Sequence, residues 1–98
     1  MSMEDLRYKR DESVAYEKYG ESYVIIPLRR LNGAIEDNVF ILDEVAARVW
    51  ELLATPHTLA GMRDEIFQEY DAGISEIEKD LRSYLEDLLN IQAITGEE

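Results

Sequence analysis

Residues 38–53, NVFILDEVAARVWELL, run a strand straight into a helix with a one-residue joint. Val39 to Leu42 is a short apolar run of β-branched, aromatic and aliphatic residues, which suits a strand. Asp43 stands directly before a helical pattern, where its carboxylate is placed to accept a first-turn amide. Val45, Ala46, Val49, Trp50 and Leu53 then fall on one helical stripe. Trp50 gives that helix its largest buried surface.

The elements on either side complete the pattern. Val14–Tyr19 and Tyr23–Leu28 read as a β-hairpin closed by Gly20-Glu21. Tyr23 and Ile25 share one face; Val24, Ile26 and Leu28 share the other. Pro27 cannot donate to a ladder, so the second strand should end or bulge there. Asn32-Gly33 carries a type I′ turn signal. After the joint, a first helix is expected from Glu44 to about Ala54, ended by Thr55-Pro56. Thr58 should cap a second helix, Leu59–Tyr70, with Leu59, Met62, Ile66, Phe67 and Tyr70 on its core face. Gly73 is available as its left-handed C-cap. Ser75 and Glu78 form a capping-box signature for a third helix, Ser75–Asn90. Ile77, Leu81, Tyr84, Leu85, Leu88 and Leu89 give it a continuous stripe. Ile91–Ile94 is a short strand or a packed tail.

Strands grouped before helices indicate an α+β fold: a three-stranded antiparallel sheet followed by a three-helix unit. Residues 1–12 have no clean period and read as a flexible N-terminal arm. Residues 13–95 form the single domain, and 96–98 should fray.

Composition narrows the function. Net charge is −12, from 22 acidic and 10 basic residues. Nucleic-acid binding relies on Lys and Arg displacing counterions from phosphates, so this field argues against nucleic acid and against anionic membranes. No apolar run approaches the roughly 18–20 residues that span a bilayer. Residues 1–13 lack the hydrophobic segment of a secretory signal. With no cysteine there is no disulfide, thiolate metal site or cysteine nucleophile, which fits a cytoplasmic protein.

Catalysis finds no support. His57 is the only histidine and sits in a Pro-His-Thr linker, read as an exposed loop. No nucleophile motif, phosphate-cradling glycine loop or calcium loop is present. We therefore expect no enzyme activity, no catalytic residue, no metal and no cofactor. Trp50, Met62 and Phe67 read as core. The strand Val39–Leu42 is less bland, because it holds no lysine, proline or inward charge. At a sheet edge it would be undefended, and such an edge can accept a partner strand.

The segment ILDEVAARVWELL resembles the strand-to-helix signature of PqqD-like proteins, the peptide-binding modules called RiPP recognition elements. The Thr-Leu start of the second helix and the EKDLRSYLEDLLN segment extend the likeness. The latter is similar to an Asp-x-x-x-Leu-x-x-Leu pattern carried by Asp80, Tyr84 or Leu85, and Leu88. The chain departs from the family in a longer connector between the second and third strands and in its Asn90–Ile94 ending.

The resemblance implies a winged-helix-like, non-catalytic domain. Its partner would be the leader of a ribosomally made precursor peptide, presented to a modifying enzyme, often a radical SAM enzyme. The leader would add as a strand beside Val39, Phe40, Ile41 and Leu42 and pack against the third helix at Lys79, Arg82, Ser83 and Glu86. Lys79 and Arg82 would pair with leader acids. Two other readings stand beside it: a winged-helix DNA-binding regulator, which the acidic third helix disfavours, and a structural homodimer whose arm or exchanged segment fills the edge.

Overall fold

The computed structural model describes residues 6–26, 30–31, 34–35 and 40–98. Pro27, the Asn32-Gly33 turn and Val39 therefore lie outside the described residues. The elements run β1 (Arg7–Arg10), β2 (Ala15–Tyr19), β3 (Ser22–Ile26), β4 (Arg30–Leu31), β5 (Ala34–Ile35), β6 (Phe40–Leu42), α1 (Val45–Leu52), β7 (His57–Thr58), α2 (Leu59–Glu69), α3 (Ile74–Asn90) and β8 (Ile94–Glu97).

The three-stranded antiparallel sheet is β2-β3-β6, in that order. Its hairpin turns at Gly20, whose φ of +61° suits a residue without Cβ. Register places Tyr16, Ile25 and Phe40 in one cross-strand row and Lys18, Tyr23 and Leu42 in another. Tyr23, Ile25 and Leu42 are buried there, so this is the face turned to the helices. α1 contributes Val49, Trp50 and Leu53; α2 contributes Leu59, Met62 and Ile66; α3 contributes Ile77, Leu81, Leu85 and Leu88. The fold is α+β, three helices on a three-stranded antiparallel sheet.

A second small sheet, β7-β1-β8, closes the molecule. The chain ends differ here from the expected arm and frayed tail. Arg7–Arg10 pairs antiparallel with Ile94–Glu97, and Tyr8 is only 1% exposed. Burying that ring supplies apolar surface that the charged neighbours hide in the sequence. Gly96 opposes Tyr8, and a Cβ there would come within 2.9 Å of Tyr8 Cε1. His57, expected in an exposed loop, is a half-buried residue of β7 paired with Tyr8.

Arg10 clamps β1 to the main body. Its Nε and Nη2 donate to the Trp50 carbonyl at 2.9 and 2.6 Å, and Nη1 donates to the Tyr16 hydroxyl at 2.8 Å. The guanidinium also lies 4.7 Å from the Trp50 ring centroid and 4.8 Å from that of Tyr16. Arg48 bridges α1 to α2 through a two-pronged contact with Glu69 at 2.8 and 3.0 Å.

Four local expectations are corrected. Asp43 does not cap α1 with its side chain; it accepts a hydrogen bond from the Ser22 hydroxyl, which leaves Glu44 at the cap position with φ 53° and no side-chain bond. α3 starts one residue early, at Ile74 behind Gly73, so Ser75 lies inside the first turn. Glu78 consequently pairs with Arg82 and Arg63 rather than closing a capping box. Gly73 has extended geometry, φ −69°, and is no left-handed cap. Phe67 is 48% exposed, because α2 turns Leu59, Met62 and Ile66 inward. The Thr58 cap is as expected: its Oγ1 accepts from the Gly61 amide at 3.0 Å. That bond explains the glycine, since a Cβ at Gly61 would crowd the same oxygen at 3.2 Å.

Candidate functional site

β6 is the last strand of its sheet. Phe40, Ile41 and Leu42 pair with Ile25, Val24 and Tyr23 on one side, and no described strand pairs with the other. An edge of this kind presents alternate backbone N–H and C=O groups outward. The side chains alternate as the pleat requires. Leu42 is buried and Phe40 half-buried against the core, while Ile41 points outward at 64% exposure. Ile41, Val24 and Glu17 form one row on the face away from the helices. No lysine or proline guards Phe40–Leu42.

The chain leaves β6 through Asp43 and Glu44 and enters α1 at once. This tight joint fixes the end of the strand against the helical layer. A cavity of about 300 Å³ opens there. Asp43, Glu44 and Val45 form one wall; Tyr70, Asp71 and Ala72 of the link between α2 and α3 form another; Glu76, Ile77, Asp80 and Tyr84 of α3 form the third. Five of these side chains are carboxylates and none is basic. Burial holds the half-buried Tyr84 hydroxyl above its ordinary pKa, and the nearby charges of Asp80 and Glu44 push in the same direction. Glu44, Asp71, Glu76 and Asp80 have no hydrogen-bond or ion-pair partner among the described side chains.

The residues expected from sequence therefore fall into two groups. Phe40, Ile41 and Leu42 form the open edge. Lys79, Arg82, Ser83 and Glu86 do come together, with Ser75 and Glu78, around a broad depression on the outer side of α3. That depression is separate from the cavity beside β6. The flank of α3 that lines the cavity at the end of β6 is Glu76, Asp80 and Tyr84, which the spacing alone did not place there. The helical repeat places 76, 80 and 84 on one row and 79, 82, 83 and 86 on another. Which polar row meets the strand is decided by how the helix lies on the sheet. Among the described residues no group of three or more His, Cys, Asp or Glu side chains is arranged to hold a metal ion. Among the described residues, no helix is long and apolar enough to cross a membrane.

These features define a small α+β domain with a strand edge open among the described residues and a cavity against α3 at that strand's end. The chain belongs to the PqqD family: the family model described as Coenzyme PQQ synthesis protein D (PqqD) matches residues 22–94. A solved structure, "TbiB1 in Complex with the TbiA(beta) Leader Peptide", is similar to it with a TM-score of 0.70 and 27% sequence identity. The similarity covers 88% of this chain and 93% of that one. No curated protein matches the chain in sequence.

Proposed function

We propose that this protein is a RiPP recognition element: a non-catalytic module that takes the leader of a ribosomally made precursor peptide as an added strand on β6. The observation that carries this reading is the outer edge of Phe40–Leu42, which no described strand pairs, with a cavity between Asp43–Val45 and α3 at the strand's C-terminal end. A guest strand gains main-chain hydrogen bonds along the edge, and its alternate side chains enter the space toward α3. Family membership and the likeness to a protein solved with its leader peptide support the same reading. The module presents the bound leader to a modifying enzyme, of which a radical SAM enzyme is the leading type, in the cytoplasm. On α3, Glu76, Asp80 and Tyr84 form the nearer wall, and Lys79, Arg82, Ser83 and Glu86 remain available to the partner enzyme or to a longer leader.

The experiment uses the leader of a precursor peptide encoded beside the gene, labelled for fluorescence anisotropy. Two versions carry N-methyl groups on alternate backbone amides, one version for each parity. An added strand turns only every second N–H toward its neighbour. One version should bind at least tenfold more weakly and the other near the unmodified affinity. Equal binding by both refutes strand addition.

A further inference from the structure

The edge strand explains how a backbone can be held without saying which peptide is held. The charges at its end do. We infer that the site selects a guest carrying a lysine or arginine directly N-terminal to its apolar strand, a specificity that rests on the strand-addition reading above.

The cavity at the C-terminal end of β6 is bounded by Asp43, Glu44, Asp71, Glu76 and Asp80, with no basic side chain among its described lining residues. Neighbouring ion pairs do not neutralise it. Arg48 is engaged by Glu69 and Glu51, and Arg63 by Asp64 and Glu78. The nearest cations on α3, Lys79 and Arg82, belong to the separate outer depression. Burial raises the Tyr84 hydroxyl pKa, and the charges of Asp80 and Glu44 push it in the same direction. A guest cation entering here meets several carboxylates and the chain's overall charge of −12. An acidic guest end would be repelled by both.

Direction follows from topology. Every pairing in the β2-β3-β6 sheet is antiparallel, and antiparallel addition is the commoner arrangement. A guest running opposite to Phe40–Leu42 has its N-terminal end beside Leu42 and Asp43. Its strand residues then alternate between the half-buried Phe40 side and the exposed Ile41 side. The recognised pattern is a basic residue followed by alternating apolar positions.

A phage-displayed library of random twelve-residue peptides tests this on the full chain. It is selected on three proteins: the wild type, the Glu76→Gln/Asp80→Asn variant, and the edge-guarded variant Phe40→Lys/Ile41→Lys. Expected are clones with alternating apolar residues that bind the wild type and not the edge-guarded variant. These clones should be enriched in Lys or Arg at the N-terminal side, and replacing that residue by Gln should weaken binding about tenfold at low salt and less at high salt. The enrichment should disappear on the charge-neutralised variant. Apolar clones without a basic preference, with it at the C-terminal side, or with it undiminished on that variant, overturn this inference and leave strand addition standing. Clones that bind the edge-guarded variant equally well, or no enriched clones, overturn both. Circular dichroism of all three proteins separates lost binding from lost folding.

Discussion

Gly96→Ala probes how the end of the chain is tied to its beginning. The added methyl carbon would lie 2.9 Å from Cε1 of Tyr8 and 3.2 Å from Cδ1 of Leu6. Favourable carbon contacts lie near 3.5–4.0 Å, so the Tyr8 contact is deep in the repulsive range and the Leu6 contact is tight. The Tyr8 ring is buried, so it cannot swing aside into water. Forcing a methyl into such packing costs roughly 1–3 kcal/mol. Alanine also stiffens the unfolded chain, which offsets about 0.4–1 kcal/mol. Setting the midpoints against each other leaves a net loss of about 1.3 kcal/mol. For a domain of this size that lowers Tm by about 5–10 °C. Thermal unfolding followed by circular dichroism measures it. In a Tyr8→Ala background the extra cost should largely vanish, because the clash has lost its main partner. A Gly96→Ala protein as stable as the wild type, or a cost undiminished in the Tyr8→Ala background, would refute the packing of β8 on β1.

Three further outcomes follow from other contacts. Trp50→Ala should cost about 3–5 kcal/mol, since it empties a fully buried site, and denaturant unfolding measures it. Ile41→Lys should change stability by less than about 0.5 kcal/mol because the side chain already faces solvent, as the same titration would show. The hydrogen bond from Arg48 holds the Glu69 carboxyl below its ordinary value of 4.5. Its folded pKa is depressed, so the pair's contribution is present above about pH 4.5 and is lost as pH falls through the lower folded value. Both partners are about one-third exposed, so solvent screening limits that contribution to about 0.2–1 kcal/mol. Glu69→Gln should therefore lower stability at pH 7 and cost progressively less as pH falls below about 4.5.

The helices were legible because their apolar residues repeat at the helical period, as Ile77, Leu81, Leu85 and Leu88 show. The strand Phe40–Leu42 was legible from its apolar run and its abrupt passage into α1, whereas its edge position followed only from the family resemblance. What sequence spacing could not supply were competitions between distant groups. Asp43 has the identity and position of a cap, yet Ser22, from the neighbouring strand, takes its carboxylate. Tyr8 sits among charges, and its burial depends on strands 49 and 86 residues further along the chain. On α3 both polar rows look alike in the sequence. The lie of the helix brings Asp80 and Tyr84 to the cavity beside β6 and turns Lys79 and Arg82 toward another surface.

The most direct test of the guest-strand account is amide hydrogen exchange of the free and leader-bound protein, read residue by residue by NMR. Outward amides of Phe40–Leu42 should exchange rapidly in the free protein and slow at least tenfold on binding, while amides of β2 stay unchanged. An edge already protected without a guest, or one whose exchange is the same when the leader is bound, would contradict it.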